Sequence, residues 1–306
     1  MIVIHQPEEN VGNRWLGAVG FFDGVHAGHR HLIKEMRRLA DEREMSTIVF
    51  TFPVHPRIVL HSDYRPKLLN TPDEKLKLLA TTGVDYCAVI DFTPELAMCS
   101  ASDFIVHTLS EKWNIKCLLA GYDHRFGYHR TDGFEQYREY GKSCGMEVLL
   151  ATPFERDHQI VSSSKIRQLL AECRVEEAAQ LLTYPYLLSG VVVSGQQRGR
   201  TLGFPTANME IDDPLKVWPG MGVYAVWAYV DGVRHKGMLT IGNRPTLNGD
   251  NITIEVYLLD FSEMIYGKRI EVEFMYYLRE NHKFSSIEAL KGQLEQDRLR
   301  TEELLQ

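Results

Sequence analysis

Two histidines in a glycine-rich stretch near the N-terminus have the clearest chemical potential in this sequence. Residues 20–29 are Gly-Phe-Phe-Asp-Gly-Val-His-Ala-Gly-His, between a short apolar run and a run with helical spacing. His26 and His29 can face one anion at the start of the helix, where N–H groups have no intrahelical acceptor. The backbone can turn sharply and approach a ligand closely at three glycines, Gly20, Gly24 and Gly28. The stretch therefore favours phosphate binding and chemistry in which charge builds on phosphoryl oxygens.

The spacing of His26 and His29 alone is equally consistent with ordinary turn and cap residues. The ten-residue stretch, however, resembles the HxGH motif of the nucleotidyltransferase α/β superfamily. Its Phe-Asp-Gly-Val-His form is most similar to the bifunctional riboflavin kinase/FMN adenylyltransferases of bacteria. This resemblance implies that both histidines stabilise charge on a transferring adenylyl group. It also implies ATP or phosphate contacts from the rest of the turn, at Gly20, Phe22, Asp23, Gly24 and Gly28.

Alternating strands and helices are predicted around this turn. Apolar runs predict strands over residues 16–19, 46–52, 84–90, 117–120 and 147–152. The sequence Thr-Pro-Asp-Glu at residues 71–74 has the residues of a capped helix start. Because the strand at 46–52 is apolar on both faces, we expect a parallel sheet covered by helices on either side. The sequence thus predicts an N-terminal doubly wound α/β domain over residues 1–182, and the resemblance implies that it is a nucleotidyltransferase domain.

A second candidate segment follows the predicted strand at residues 117–120. Residues 121–127 are Gly-Tyr-Asp-His-Arg-Phe-Gly, at the carboxyl edge where open α/β sheets bind ligands. An aspartate in such a segment can also serve only to cap a turn. The segment resembles the Gly-x-Asp-x-Arg-Phe-Gly motif of the same family, except that His124 replaces the usual aromatic residue. The resemblance implies that Asp123 and Arg125 contact the adenylyl group or the flavin.

The sequence Val-Ser-Ser-Ser-Lys-Ile-Arg at residues 161–167 predicts the start of a further helix. Serines often cap helices without any other role. Lys165 and Arg167, however, lie in the first turn, where cations oppose the helix dipole unless an anion is bound. The segment resembles the Ser-Ser/Thr-x-x-Arg motif of the superfamily. This implies that Ser163, Ser164 and Arg167 hold the β- and γ-phosphates of ATP or the leaving pyrophosphate.

The period of the apolar residues changes after residues 183–186. Successive runs then alternate apolar and polar residues, and Asp231-Gly232 between two runs predicts a hairpin. The pattern favours a small antiparallel β-barrel or sandwich, and we predict a barrel domain over residues 183–306 with a terminal helix. That helix, over residues 286–305, has a predicted apolar stripe of Ile287, Leu290, Leu294 and Leu299.

A second phosphate-directed segment follows the first strand of this domain. Residues 195–208 are Gly-Gln-Gln-Arg-Gly-Arg-Thr-Leu-Gly-Phe-Pro-Thr-Ala-Asn. The glycines and cations suit a flap over phosphates, and Thr206 and Asn208 offer neutral oxygen ligands to Mg²⁺. An ordinary β-loop fixed by Pro205 is the alternative. The segment matches the riboflavin kinase motif, which implies phosphate contacts from the flap residues Gly195, Gly199, Arg200 and Gly203.

Glu255 is the candidate for proton transfer in the second domain. By strand alternation, Ile254, Val256 and Leu258 share one face, and Glu255 lies on the other. In an unassigned strand that other face would be the solvent face. The resemblance to riboflavin kinases implies instead that Glu255 is a general base, which accepts the proton of the ribityl hydroxyl that attacks the γ-phosphate of ATP.

Composition limits the classes of function. The length of 306 residues favours two domains, and 44% hydrophobic with 25% charged residues is typical of a globular protein. A net charge of −7 disfavours a general nucleic-acid binder. Five scattered cysteines argue for a reducing compartment, and no apolar run is long enough for a signal peptide or a bilayer span. We therefore expect a cytoplasmic enzyme that binds neither nucleic acid nor membranes, with its oligomeric state left open.

The resemblance in both halves implies a bifunctional enzyme of FAD biosynthesis. The C-terminal domain would phosphorylate riboflavin to FMN, and the N-terminal domain would adenylylate FMN with release of pyrophosphate. The expected substrates are riboflavin, FMN and ATP, and the expected cofactor is Mg²⁺. One alternative is a nucleotidyltransferase for another small substrate, such as pantetheine phosphate or nicotinate mononucleotide. The other is a flavin-binding paralogue that has lost one or both activities and acts as a sensor or regulator.

Overall fold

The chain is divided into two units in a computed structural model. It describes residues 1–7, 14–60, 63, 65–122, 125–128, 131–156, 159–194, 203–246 and 249–306. Four of the predicted site residues lie outside these ranges, namely Asp123, Gly195, Gly199 and Arg200. The two compact units are Met1–Ser163 and Ser164–Gln306. The sequence-based boundary between residues 182 and 183 places residues 164–182 in the N-terminal half, and it stays a prediction.

The N-terminal unit alternates short strands with helices. Its strands are β1 (Ile2–Ile4), β2 (Trp15–Val19), β3 (Ser46–Thr51), β4 (Tyr86–Val89), β5 (Ile115–Ala120), β6 (Glu147–Leu150), β7 (Glu155–Arg156) and β8 (Gln159–Ile160). Its helices are α1 (Ala27–Asp41), α2 (Pro56–Leu60), α3 (Pro72–Ala80), α4 (Pro94–Met98), α5 (Ala101–Asp103), which continues as a π-helix (Phe104–Lys112), and α6 (Phe134–Ser143). Strands β7 and β8 form a separate antiparallel pair.

Six strands form one parallel sheet in the order β1-β4-β3-β2-β5-β6. The chain first proceeds from β2 to β3 and β4, and then crosses to β5 and β6 on the other side of β2. The strand order therefore reverses between β2 and β5. In open α/β sheets, the carboxyl ends of the strands at such a switch point form the crevice that binds ligands. The glycine turn leaves β2 at this edge, and the segment at residues 121–127 leaves β5 there.

Apolar side chains cover both faces of the sheet, which confirms the doubly wound prediction. One core lies between the sheet and helices α1 and α3 and includes Ile33. The core on the other face includes Trp113, which follows the π-helix, and Tyr137 of α6. Successive side chains of a strand point to opposite faces, so Val49 enters the first core and Phe50 the second. Strand β3 is therefore apolar on both faces, as its sequence predicts.

Three helical features show how far local sequence specifies this unit. The predicted start at Thr71 is confirmed, because Thr71 and Glu74 cap each other at 3.0 and 3.3 Å. The segment that follows α5 is a π-helix rather than an α-helix. Its buried residues Ile105 and Leu109 are four positions apart, a spacing that does not separate α from π geometry. Helix α6 has no predicted counterpart, because its sequence is mostly polar and it buries little beyond Tyr137.

The C-terminal unit contains a closed antiparallel barrel, as predicted. Helix α7 (Ser163–Ala171) starts at the division between the units, α8 (Val175–Leu182) follows it, and α9 (Ile287–Leu304) ends the chain. The barrel strands are β9 (Tyr186–Val193), β10 (Thr206–Glu210), β11 (Gly222–Val230), β12 (Val233–Thr246), β13 (Gly249–Leu258) and β14 (Arg269–Arg279). Their order is β10-β13-β12-β11-β14-β9, and the pairing of β9 with β10 closes the ring.

In strands β13 and β9, alternation sorts the side chains into an inner and an outer set. Ile254, Val256 and Leu258 of β13 are buried at 3%, 0% and 4% exposure, and Glu255 between them is half-buried on the outer face. Strand β9 alternates in the same way. The predicted hairpin is confirmed, because residues 231–232 link β11 to β12 and both have positive φ angles.

Helix α9 is held to the barrel by a polar pair that the sequence analysis missed. Ile287 and Leu299 are 64% and 54% exposed, so the predicted apolar stripe is wrong at these positions. Asp297 is buried instead, because Arg279 of β14 donates to its carboxylate from Nε at 3.0 Å and from Nη2 at 2.7 Å. Thr301, one turn later on the same face, is also buried. The helix docks along the face that contains Asp297, Thr301 and the half-buried Leu294 of the predicted stripe.

Asp297→Ala is expected to destabilise the C-terminal unit by about 3 kcal/mol, because a largely buried guanidinium then loses its carboxylate. Glu295→Ala on the same helix is the matched control. Glu295 pairs with Arg298 in solvent, so its loss is expected to have little effect. Urea unfolding followed by hydrogen–deuterium exchange of β14 peptides measures both variants. Equal destabilisation by the two substitutions would contradict the expectation.

Candidate active sites

The turn after β2 has a strained backbone. Phe22, Gly24 and Val25 have φ angles of +56°, +84° and +36°. The left-handed region is unfavourable for a β-branched residue, so the surroundings of the fully buried Val25 must hold it there. Gly24 has no Cβ and adopts its conformation at little cost. Strain of this kind occurs at ligand-binding sites, and this turn lies at the switch point of the sheet.

Side chains from elsewhere in the N-terminal unit hold this turn in place. Three of its carbonyl groups accept side-chain hydrogen bonds, those of Phe21, Asp23 and Val25. The donors are Thr51 Oγ1 at 3.1 Å and Lys75 Nζ at 3.2 Å for Phe21, Ser163 Oγ at 2.8 Å for Asp23, and Arg30 Nε at 3.1 Å for Val25. The Asp23 carboxylate also accepts the backbone N–H of Leu69 at 2.8 Å. The strained conformation is thus fixed by many contacts rather than by the turn sequence alone.

His26 and His29 lie at the start of α1 with their rings stacked. The ring centroids are 3.7 Å apart and the planes differ by 16°. His26 is the N-cap residue, and the first backbone bond of the helix joins the Arg30 N–H to the His26 carbonyl. The N–H groups before Arg30 therefore have no acceptor within their own helix. Both imidazoles lie where the helix dipole favours a bound anion.

The environment of His26 keeps its imidazole neutral. The side chain is 6% exposed, and burial lowers its pKa to about 4. Its Nδ1 has no hydrogen-bond partner among the described residues. Gly28 leaves room for this ring, since a Cβ at that position would lie 3.3 Å from its Nδ1 and Cε1. A neutral imidazole can give one N–H donor to a phosphoryl oxygen, but not a positive charge.

Gly20, Phe22 and Asp23, which the sequence predicts to contact ATP, lie inside the turn. Phe22 is 1% exposed and its ring meets the His29 ring edge-on, with centroids 5.2 Å apart. The Gly20 N–H donates to the Phe50 carbonyl at 3.0 Å. The Asp23 side chain is 6% exposed and bonded to Leu69. The Phe22 ring therefore supports the His29 imidazole from the core side.

The segment after β5 is only partly described. Arg125 is exposed at the carboxyl edge of the sheet, and Asp123 lies outside the described residues. The neighbouring Phe126 is anchored on Tyr137, with ring centroids 4.2 Å apart and its N–H donated to the Tyr137 hydroxyl at 3.1 Å. The aromatic anchor fixes the end of the segment that contains Arg125.

Ser163, Ser164 and Arg167 lie in the first turns of α7, as predicted. The Ser163 hydroxyl donates to the Asp23 carbonyl, which brings the start of this helix to the glycine turn. The Arg167 guanidinium donates to Ser164 Oγ at 3.1 Å. Ser163 and the histidine turn are distant in the sequence, and this contact joins them within the N-terminal unit, whereas Ser164 and Arg167 belong to the C-terminal unit.

Thr206, Asn208 and Glu255 come together on the outer face of the barrel. Antiparallel pairing of β10 with β13 places Asn208 directly opposite Glu255. The Thr206 hydroxyl donates to Glu255 Oε2 at 3.1 Å. All three side chains are half-buried. The register thus joins three predicted site residues in one cluster of a hydroxyl, an amide and a carboxylate.

An apolar wall borders this cluster. The Phe204 and Tyr257 rings are 5.2 Å apart, and Met238 and Leu294 pack against the same group. Burial raises the pKa of Tyr257, so its phenol stays protonated at neutral pH. Gly203, with φ of +85°, precedes this wall, and the other flap residues lie outside the described part of the chain. Oxygen ligands beside an apolar wall suit a substrate with both a hydrophobic ring and hydroxyl groups.

Lys75 and Thr240 adjoin the two sites and were missed by the sequence analysis. Lys75 lies on the buried side of α3, one turn before the fully buried Leu79. A lysine four residues before a core leucine could have been noticed in the sequence. Thr240 lies directly opposite Glu255 in β12. No local pattern marks Thr240, because only the strand register brings it to the site.

The donor atoms of the barrel cluster fit Mg²⁺. No cluster of three or more His, Cys, Asp or Glu side chains that could hold a metal is present in the described ranges. Mg²⁺ does not need one, because it usually keeps several waters and binds one or two protein oxygens together with substrate phosphates. The Thr206 hydroxyl, the Asn208 amide and the Glu255 carboxylate supply hard oxygen donors of that kind.

Two family models match the chain. The FAD synthetase model matches residues 9–165, the region of the histidine turn. The riboflavin kinase model matches residues 182–305, the region of the Thr206, Asn208 and Glu255 cluster. The chain is therefore a transferase that uses ATP and combines an adenylyltransferase domain with a kinase domain.

Curated relatives combine the same two activities in one chain. The bifunctional riboflavin kinase/FMN adenylyltransferase of Listeria monocytogenes is 36% identical over 97% of this chain and 95% of its own length. The protein of that name from Escherichia coli K12 is 36% identical over 93% of this chain and 91% of its own. The chain belongs to the bifunctional riboflavin kinase/FMN adenylyltransferase family. This leaves the alternative of a nucleotidyltransferase for pantetheine phosphate or nicotinate mononucleotide without support.

A solved structure is similar over the whole chain. It is described as a macrolide-efflux protein from Streptococcus pneumoniae, with a TM-score of 0.89, 31% identity, and 98% of each chain covered. The likeness therefore includes both units. In the present chain, none of the helices in the described ranges has the length and apolar character needed to cross a membrane.

The free energy of unfolding of the N-terminal unit is expected to fall by about 3 kcal/mol as the pH drops from 7 to 4, because the buried His26 takes up a proton less readily than the unfolded one. The unfolded imidazole takes up a proton near pH 6.5, whereas the buried one resists it down to about pH 4. The contribution is therefore complete above pH 6.5 and is lost below it. His26→Gln should flatten this dependence, measured by hydrogen–deuterium exchange of β2 and α1 peptides. The matched control is His31→Gln on the same helix; an unchanged pH dependence in His26→Gln would contradict the expectation.

Proposed function

We propose that this chain makes FAD from riboflavin in two steps, using the barrel cluster for the kinase reaction and the histidine turn for the adenylyl transfer. The observation that carries the proposal is the placement of Glu255. Strand register alone sets it opposite Asn208 and in hydrogen-bond contact with Thr206, beside an apolar wall. A carboxylate in such a place has oxygen partners for a metal–phosphate complex and lies close to an apolar group that contains two aromatic rings.

In the kinase step, Glu255 acts as the general base. The terminal ribityl hydroxyl of riboflavin attacks the γ-phosphorus of ATP, and its proton passes to the Glu255 carboxylate. The new O–P bond forms as the bond between the γ-phosphorus and the β-phosphate oxygen breaks, and ADP leaves. The Thr206 hydroxyl holds Oε2 of the carboxylate, which keeps the base in one orientation. The apolar wall of Phe204 and Tyr257 supports binding of the isoalloxazine ring.

Thr206 and Asn208 would hold Mg²⁺ with the phosphates of ATP, which leaves the Glu255 carboxylate to accept the proton. The ion supplies charge neutralisation on the phosphoryl oxygens when it is bound. The residues of the chain orient this complex against the substrate hydroxyl and exclude water from it. The flap residues Gly195, Gly199, Arg200 and Gly203 contact the phosphates in the same proposal.

In the adenylyl-transfer step, His26 and His29 stabilise the transferring group. A phosphate oxygen of FMN attacks the α-phosphorus of ATP, and the bond to the leaving pyrophosphate breaks. No covalent intermediate with the protein is needed, so catalysis rests on positioning and electrostatics. Because burial keeps the pKa of His26 at about 4, this residue acts as a neutral hydrogen-bond donor. Positive potential at the site comes from the start of α1.

The remaining predicted residues bind the ends of the substrates. Ser163, Ser164 and Arg167 hold the leaving phosphates of ATP, a role supported by their place at the start of α7. The glycine turn, through Gly20, Phe22, Asp23, Gly24 and Gly28, contacts ATP. Asp123 and Arg125 contact the adenylyl group or the flavin.

The domain boundary and the setting of the reaction complete the proposal. We place the boundary between residues 182 and 183, supported by the start of the riboflavin kinase match at residue 182. The enzyme works in the cytoplasm on free riboflavin, FMN and ATP, and binds neither nucleic acid nor membranes. The net charge of −7 and the five cysteines, all within the described ranges and none of them in a disulfide, support this setting.

Purified protein with riboflavin, ATP and Mg²⁺ is expected to form FMN first and FAD second. Mass spectrometry of quenched samples measures both products over time. Chelation by EDTA should stop both steps, and added Mg²⁺ should restore them. FMN without FAD would contradict the assignment of the N-terminal domain. Tight flavin binding without either product would instead indicate the sensor or regulator alternative.

Two substitutions are expected to separate the steps. His29→Ala should slow FAD formation from FMN by about 100- to 1000-fold while FMN formation continues, because one donor to the transferring group is lost. Glu255→Gln should slow FMN formation by about 100- to 10,000-fold while supplied FMN is still converted to FAD, because the base is lost. Rates of both steps, measured separately for each variant, test the assignment.

Matched controls exist in both domains. His31→Ala changes a nearby histidine of α1 that bonds Thr152, and it should leave FAD formation intact. Glu273 is another half-buried, outward-facing glutamate of the barrel, and it accepts a hydrogen bond from the Tyr229 hydroxyl. Glu273→Gln should leave FMN formation intact. If His29→Ala or Glu255→Gln slowed both steps equally in a folded protein, the division of roles would be wrong.

A further inference from the structure

Lys75 is a buried cation attached to the glycine turn. It lies on α3 and is 4% exposed. Its ammonium donates to the Phe21 carbonyl at 3.2 Å and to the Phe52 carbonyl at 2.7 Å. The same ammonium lies 4.1 Å from the centroid of the Phe21 ring. Lys75 thus joins the first residues of the turn to the end of β3, at the carboxyl edge of the sheet.

The bonds of Lys75 do not neutralise its charge. Its described partners are two carbonyl groups and one aromatic ring, not a carboxylate. Burying a cation in this way is unfavourable, and a neutral side chain of similar length could fill the same space. A cation kept in such a place contributes positive potential where the turn faces its ligand.

The charged and titratable groups around Lys75 lie on several elements. Asp23 of the turn attracts the ammonium and offsets part of that potential, and its carboxylate accepts the Leu69 N–H rather than a bond from Lys75. Cys87 of β4 is neutral, because burial raises its pKa to about 12. The Glu74 carboxylate accepts the Thr71 N–H at the start of α3. The His55 ring contacts the Phe21 ring. Burial lowers the pKa of Lys75 to about 8.

We propose that Lys75 is a positioning residue for the adenylyl-transfer step, which fixes the glycine turn through its two carbonyl bonds and supplies a buried positive charge behind the phosphate site. The inference rests on the proposed function of the histidine turn. Lys75 does not touch the substrate in this proposal. Its role is to hold the backbone that binds the phosphates of ATP and to make that region attractive to an anion.

Lys75→Met tests this inference, because methionine keeps the length and apolar contacts but removes the donors and the charge. The value of kcat/KM for ATP in the FMN-to-FAD reaction is expected to fall by about 10- to 100-fold. The riboflavin kinase rate of the same molecules should stay unchanged. Lys77→Met, an exposed lysine of the same helix, is the matched control and should keep both rates. Wild-type kcat/KM for ATP in Lys75→Met would overturn the proposal.

The pH profile separates positioning by a charged group from a merely structural anchor. In the wild-type protein, kcat/KM for ATP in the adenylyl-transfer step should decline as the pH rises through about 8, because Lys75 then loses its proton. The kinase step should show no such decline. Lys75→Arg retains a charge at alkaline pH and should shift the decline out of the measured range. A wild-type profile without the decline would overturn the proposal even if neither variant folds.

The failure of this inference differs from the failure of the proposed function. If wild-type protein makes no FAD from FMN, the proposed function is wrong. If it makes FAD normally and Lys75→Met does so equally well, only the role of Lys75 is wrong.

Discussion

A short stretch of backbone in an unfavourable conformation is the constraint on which the N-terminal unit depends. Phe22 and Val25 occupy the left-handed region, and that arrangement persists only while surrounding contacts oppose relaxation. The contacts come from Thr51 at the end of β3, from α3, from α1 and from Ser163. Thr51 is close to the turn because β3 lies next to β2 in the sheet. The geometry of the histidines therefore depends on elements well outside the turn itself.

The barrel solves a different physical problem. Six antiparallel strands close on themselves, and alternate side chains such as Val256 fill the interior. A small barrel packed in this way has no internal cavity for a substrate. The proposed kinase site is therefore on the outer surface, where Glu255 accepts the Thr206 hydroxyl and lies opposite Asn208. The face that alternation assigns to solvent is thus the face on which we propose that ATP binds.

Local patterns predicted the architecture but not the contacts that hold it. The cap at Thr71, the hairpin at residues 231–232 and the period of β13 follow from rules that involve only neighbouring residues. Lys75 and Asp297 were missed because a buried charge is specified by its distant partner, not by its own segment.

The candidate sites show the same division. The sequence offered His26, His29, Thr206 and Asn208 as candidates with ordinary turn or loop alternatives. Likeness to a family was needed to choose between these readings, and to interpret Glu255 as more than a surface acid. Only the three-dimensional structure revealed the stacking of the two imidazoles and the alignment of Glu255 with Thr240. Both depend on register and packing, which a single sequence does not encode in any short window.

The pairing of the first and last barrel strands also sets an order for folding during synthesis. Strand β9 at the start of the barrel pairs with β14 near the end of the chain, so the ring cannot close until almost the whole polypeptide has left the ribosome. The parallel sheet needs nothing beyond β6. Domains tend to fold as they emerge, and distant strand pairing is slow. The first half of the molecule can therefore mature while the second is still being translated, and a chain cut short before β14 would leave unpaired strands exposed to aggregation.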